Sequence, residues 1–203
     1  MKRKQQKKKY GWLRLALFGS LCILGLALAG CGQEQTPTAP GEEPDATTPQ
    51  QTVAEQLKQQ DFATMAEAKT EYLGDNSATG QILGFSLLAP YNQEGFAMQT
   101  ETEPYGIAAA YVLPVEAGFS AGEVQQMADM TAMNCFVLIN NVDEVELTIT
   151  NAAVSEEPQE YTYTRQQFEN MCEMDVRSLA DQPQLWQTAV AAYVDGKTPL
   201  ATE

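Results

Sequence analysis

The stretch SAGEVQQMADMTAMNCFVLI, residues 120–139, decides the architecture. Ser120 and Glu123 stand at capping-box spacing, and Phe119 and Val124 hold the two positions of a hydrophobic staple. Val124, Met127, Ala128, Thr131, Cys135 and Leu138 then recur at i, i+3, i+4 spacing, one stripe of a helix. From Cys135 to Ile139 the run is apolar all round, so this end of the helix is expected to be deeply packed. Asn140-Asn141 turns the chain into Glu144-Val-Glu-Leu-Thr-Ile-Thr150, where Val, Leu and Ile alternate with acid or threonine. That period of two is a strand with one buried face.

Upstream, Phe96–Thr102 alternates in the same way, Glu103-Pro104 interrupts it, and Tyr105–Leu113 reads as a more buried partner. A hairpin is the simplest connection. Thr52 and Glu55 form another capping box, opening an Ala-, Gln- and Glu-rich helical segment to Leu73. Its apolar phase slips between Val53/Leu57 and Phe62/Met65/Tyr72, which fits one long helix or two short ones. Gly74–Ser77 is a turn carrying cap residues. It opens a segment, Ala78–Leu88, weakened as a helix by Gly80 and Gly84. Tyr161–Tyr163 is a further short strand. Thr164 and Gln167 make the next capping box, with a stripe of Phe168, Met171, Cys172, Val176 and Leu179. Asp181 is read as the cap of a last helix with Pro183 in its first turn, packing Leu185, Trp186, Ala189, Val190 and Tyr193 and ending at Gly196. Paired strands with helices between them, and no β-α-β regularity, predict an α+β domain over 52–203: an antiparallel sheet of about four strands backed by helices.

Two segments precede that domain. Six basic residues before Tyr10, with no acid, lead into the apolar run Leu15–Ala29. Fifteen apolar residues suit a signal peptide better than a spanning helix, which needs about 20. Leu28-Ala29-Gly30-Cys31 closes it and resembles the lipobox of bacterial lipoprotein precursors. That resemblance implies cleavage before Cys31, lipid on its thiol, and an extracytoplasmic, membrane-anchored location. Residues 1–30 are thus expected to be the signal peptide. From Cys31 to Gln51 the chain is rich in Pro, Thr, Gln and Glu, a composition that reads as a disordered tether. Twenty such residues span roughly 25 Å root-mean-square.

The net charge of −15 divides unevenly. Beyond Cys31 there are 27 acids and five basic residues, a net of −22. Such a polyanion is repelled by nucleic acid, which is therefore not an expected partner. Histidine is absent. This excludes Ser-His-Asp and Cys-His catalysis and His-ligated zinc. With Cys22 in the signal peptide and Cys31 lipidated, Cys135 and Cys172 remain. Both fall on helical apolar stripes, as two core thiols would, while one disulfide is the alternative for cysteines outside the cell. Asn141, Asp143 and Glu144, with Asn140 and Glu146, bring oxygen ligands together, but not at EF-hand spacing. A solvated turn and strand is the plainer reading. Tyr105, Tyr111, Tyr161 and Tyr163 would line a groove or, more simply, pack a sheet. No catalytic residue, metal or cofactor is assigned.

Lys69–Ser77, Pro104-Tyr105-Gly106, Asn134–Ile149 and Tyr161–Arg165, in that order, resemble a domain-of-unknown-function family of Gram-positive bacteria, family number 4825. The resemblance runs over about residues 66–190. It implies a small envelope lipoprotein domain, in some members joined to membrane metallopeptidases of the antirepressor type, acting in sensing or interaction without assigned catalytic residues. The expected function is accordingly a lipid-anchored binding, sensory or interaction module, meeting the membrane through Cys31 and an envelope protein or wall component. A carboxylate-using envelope hydrolase and a small solute-binding lipoprotein are the alternatives.

Overall fold

The structure, a computed structural model, describes residues 51–92 and 95–197. The expected signal peptide, Cys31 and the expected tether as far as Gln50 lie outside the described residues. Four strands, β1 (Phe96–Gln99), β2 (Gly106–Leu113), β3 (Glu144–Asn151) and β4 (Gln159–Thr164), form one sheet in chain order. The hairpins β1–β2 and β3–β4 are antiparallel, with Phe96 opposite Ala109 and Val145 opposite Tyr163. The central pair is parallel, Gly106 beside Glu144 through Leu113 beside Asn151. The sheet is therefore mixed, which corrects the antiparallel expectation.

The reason lies in the stretch that opened the reading. It forms α4 (Ala121–Leu138), an 18-residue helix closed at its start by the Ser120/Glu123 capping box. At 1.5 Å per residue it is about 27 Å long, and an eight-residue strand at 3.3 Å per residue is about 26 Å. The helix returns the chain to the end where β2 began, so β3 must run the same way as β2. This is one β-α-β unit.

Every residue from Met127 to Ile139 is buried, so the all-round apolar end of α4 is the centre of the core. Fully burying a Phe136 or Leu138 side chain contributes about 1.5–3 kcal/mol each. The Thr52–Leu73 segment forms two short helices, α1 (Val53–Lys58) and α2 (Phe62–Ala66). Asp61 divides them by accepting the Thr64 N–H at 3.0 Å, and the phase slip follows from this break. Asp75 caps α3 (Asn76–Gly84) through the N–H groups of Ser77 and Ala78. The Thr164/Gln167 box opens α5 (Arg165–Cys172). That helix stops at Glu173, whose φ is +53°, and Val176 and Leu179 reach the core from a 3-10 turn, Val176–Asp181. Asp181 does not cap α6 (Pro183–Val194). Gln182 holds that position, and Asp181 instead accepts from Lys69 Nζ at 3.0 Å. Trp186 of α6 meets Phe62 of α2 edge to face, ring centres 5.2 Å apart.

The strands alternate strictly. Ile107, Tyr111 and Leu113 of β2 and Val145, Leu147 and Ile149 of β3 face the helices and are buried. The opposite face presents Ala97, Ala108, Val112, Glu146, Glu160 and Thr162, all exposed. Among the described residues no helix covers that outer face.

Candidate functional site

The segments Lys69–Ser77, Pro104–Gly106, Asn134–Ile149 and Tyr161–Arg165 meet at the carboxyl end of α4. Thr70 donates its N–H to Leu138 O at 2.8 Å and accepts the Asn140 N–H at 2.9 Å. Tyr105 O accepts from the N–H groups of Asp143 and Glu144. Arg165, only 6 % exposed, aims its guanidinium at the end of the helix. Nη1 donates to Phe136 O at 2.9 Å, and Nη2 to the carbonyls of Ile139 (3.0 Å), Asn140 (3.1 Å) and Val142. A helix leaves its last carbonyls without intrahelical partners, and a cation there also meets the negative end of its dipole. Arg165 Nε lies 3.5 Å from Asp143 Oδ1, close enough for charge attraction but without a hydrogen bond. Burial, and Arg177 nearby, hold the guanidinium below its usual pKa, while Asp143 pulls the other way.

Two of the side chains considered as metal ligands, Asn141 and Asp143, have their oxygens engaged at this corner. Asn141 Oδ1 accepts the Leu73 N–H at 2.6 Å, Asn140 Nδ2 donates to Glu71, and Asp143 faces Arg165. Glu144 begins β3 with its side chain on the outer face. Among the described residues no three His, Cys, Asp or Glu side chains gather as a metal site.

A second polar cluster lies along α4. Asp129, 9 % exposed, accepts from Tyr193 O–H and from Gln125 Nε2 at 2.8 Å. Gln125 Nε2 also donates to the Tyr163 phenol oxygen at 3.2 Å. Burial first, and then the Asp129 carboxylate, push the Tyr163 phenol well above its ordinary pKa. For Tyr193 burial again leads, followed by its hydrogen bond to Asp129. The Tyr193 phenol is therefore a neutral donor to the buried acid, and the Tyr163 phenol stays neutral beside it while accepting from Gln125. The thiols are equally quiet: Cys135 and Cys172 are free and buried, and burial raises them to about 12 and about 11. Neither is a thiolate at neutral pH, and the two-thiol reading of the sequence is the one observed. All four tyrosines considered for a groove, Tyr105, Tyr111, Tyr161 and Tyr163, pack toward the helical layer.

At the carboxyl ends of the parallel pair, where α/β sheets often hold ligands, there is only a shallow dip, with a volume of about 10 Å³, lined by Val124, Ile149, Asn151, Val154 and Tyr161. Its buried amide is already used, since Asn151 Nδ2 donates to Phe119 O at 2.8 Å and Oδ1 accepts the Ala153 N–H. Among the described residues, the outer sheet face and the far side of β4 are left uncovered. On them Glu146 and Glu160 are exposed and Glu144 is half-exposed. The described basic residues stand elsewhere, each beside an acid: Lys58 and Lys197 by Asp195, Lys69 by Asp181, Arg165 by Asp143 and Arg177 by Asp175.

Fold and surface together define a two-layer α+β domain with one helical face and one open, acidic sheet face. A family model described as a domain of unknown function, DUF4825, matches residues 65–164, and the chain carries a domain of that family. The match begins in α2 and ends with β4, so it holds the whole sheet and α4 but stops short of the expected boundary near residue 190. No curated protein and no solved structure matches the chain. Among the described residues no helix is long and apolar enough to cross a membrane. Sequence reasoning missed Arg165 and Asp129 as organising groups. For Asp129 the one available signal was an acid inside an otherwise apolar helical stretch.

Proposed function

We propose that the chain is a lipid-anchored interaction module of the cell envelope, which binds a protein or wall component close to the membrane. The observation that carries the reading is the open sheet face, whose carboxylates have no basic neighbour among the described residues. An exposed, uncompensated surface of one sign favours encounter with an opposite one. The lysine-rich start, the apolar run and Leu28–Cys31 support the anchor, since two acyl chains on one cysteine hold a protein on a bilayer stably. A tether of about 25 Å keeps the domain within reach of membrane-bound partners and raises its effective concentration there. Mass spectrometry of the native N-terminus tests the anchor, the expected product beginning at a diacylated Cys31. Crosslinking in intact cells tests the binding and should trap a membrane or wall component. An unmodified Cys31, or robust turnover of a glycan, peptide or ester by the purified chain, overturns the reading.

A further inference from the structure

We infer that the free edge of β4 receives an extended, lysine- or arginine-bearing segment of a partner protein as a fifth strand. This rests on the proposed binding role and names its surface and its partner chemistry. The alternation of the β3–β4 ladder fixes which groups are available. Arg165 N–H donates to Asp143 O at 3.0 Å, which places the hydrogen-bonded pairs at odd positions of β4: 159, 161 and 163. The N–H and C=O groups of Glu160 and Thr162 therefore point away from the sheet. Thr164 also points outward, but its N–H is closed by Gln167 Oε1 at 2.8 Å. Among the described residues nothing bonds to the backbone of Glu160 or Thr162.

Exposed edges are ordinarily blunted by charged side chains, proline or a bulge. Here Pro158 stands just before the strand and Glu160 is its one charge, which repels acidic strands and admits basic ones. Gln159–Thr164 has no lysine, proline or bulge, and its register with β3 runs unbroken over six pairs. An incoming strand would gain main-chain hydrogen bonds at Glu160 and Thr162 and choose its side chains by what stands beside them. On the outer face these are Glu160 and, one strand further in, Glu146. Glu156 and Glu157 are exposed where the chain enters β4. A segment with basic residues at alternate positions pairs with these acids across the strands, and opposite charges so placed attract. The same acids disfavour a second copy of this chain at the edge, because each edge would bring its own.

The test uses the full chain in detergent micelles with three capped heptapeptides: Lys-Thr-Lys-Val-Lys-Thr-Lys, the same sequence with glutamate for lysine, and the lysine peptide N-methylated at alternate amides. Binding is read by fluorescence anisotropy, and the edge by residue-resolved amide exchange. The lysine peptide should bind at least about tenfold more tightly than either control, a difference of about 1.4 kcal/mol. Exchange should slow at Glu160 and Thr162 while Tyr161 and Tyr163, already bonded to β3, change little. Glu160→Lys should weaken binding, and Thr162→Pro, which removes an outward N–H that an edge strand can spare, should weaken it without altering far-ultraviolet dichroism. Equal binding of the N-methylated peptide, or protection confined to other residues, overturns strand addition. Equal binding of the glutamate peptide overturns the cationic partner. Protection of the edge without peptide also overturns the proposal. If it grows with protein concentration it assigns the edge to a second copy. If it vanishes in a chain starting at Cys31 it assigns the edge to the Lys2–Arg14 segment. Failure of these peptides leaves the mass of Cys31 and crosslinking in cells as separate readings of the broader role.

Discussion

Replacing Arg165 by methionine keeps much of the side chain's volume and removes the guanidinium from the end of α4, leaving the Thr70 N–H on Leu138 O. Four carbonyls then lose this donor: those of Phe136, Ile139, Asn140 and Val142, of which Ile139 O keeps the Val142 N–H at 3.5 Å. Hydrogen bonds from a charged donor are worth about 1.5–3 kcal/mol each, but one guanidinium serves all four and they do not add. Counting two as independent gives about 3–6 kcal/mol, against a total of about 5–15 kcal/mol for an ordinary domain. With a urea slope of about 2 kcal/mol per molar, the unfolding midpoint should fall by about 2 M at unchanged slope. Arg165→Lys should fall between, because an ammonium is a point charge that cannot span a fork of acceptors. Asp143→Asn is the control, since its carboxylate is half exposed and attracts Arg165 without a hydrogen bond. It should shift stability by less than about 1 kcal/mol. A midpoint change under about 0.5 M for Arg165→Met would refute the assignment of Arg165 as the cap of α4.

Two further outcomes follow from the buried groups. The thiols have folded pKa values above the unfolded value of about 8.5, so below that pH they cost nothing and above it the unfolded chain ionises first. Stability should therefore decline from about pH 8.5 toward 11, at up to about 1.4 kcal/mol per pH unit for each thiol. The slope should flatten in Cys135→Ala with Cys172→Ala, measured against the same pair at pH 7. Tyr193→Phe removes one donor from the Asp129 carboxylate and should cost about 1.5–3 kcal/mol by thermal or urea unfolding, with Gln125 left as that acid's partner.

Local signals were legible and long-range ones were not. The capping boxes at Thr52, Ser120 and Thr164 were readable because each is settled within four residues, and the strand periods of Phe96–Gln99 and Glu144–Thr150 because alternation is local too. The orientation of β3 depends on where an 18-residue helix delivers the chain. Matching the length of that helix to the strands was a step that alternation alone does not prompt. Asp181 and Asp61 show the limit of reading caps by residue type: the first found Lys69, the second capped a helix the periodicity had blurred. Arg165 had no visible signature, since its acceptors lie 23 to 29 residues upstream and are backbone atoms. The open face was legible in part. Alternation marks Glu144 and Glu146 as outward, whereas Glu160 lay just outside the expected strand Tyr161–Tyr163, and that no helix among the described residues covers them is a fact of the layer arrangement.

Strand order that equals chain order bears on how the domain assembles. As the chain lengthens from its amino end, each strand meets a partner that is already made: β2 beside β1, β3 beside β2 after α4, and then β4. The sheet can thus grow in one direction, with loop closures no longer than the single crossover. The helical layer is different. Phe62 waits for Trp186, and Lys58 for Asp195, so α2 lacks its main partner until the last helix arrives, although α1 already packs on α4. A chain halted before Pro183 holds a finished sheet under an unfinished cover, with the side of α2 that meets Trp186 exposed. Chaperones and proteases act on such intermediates.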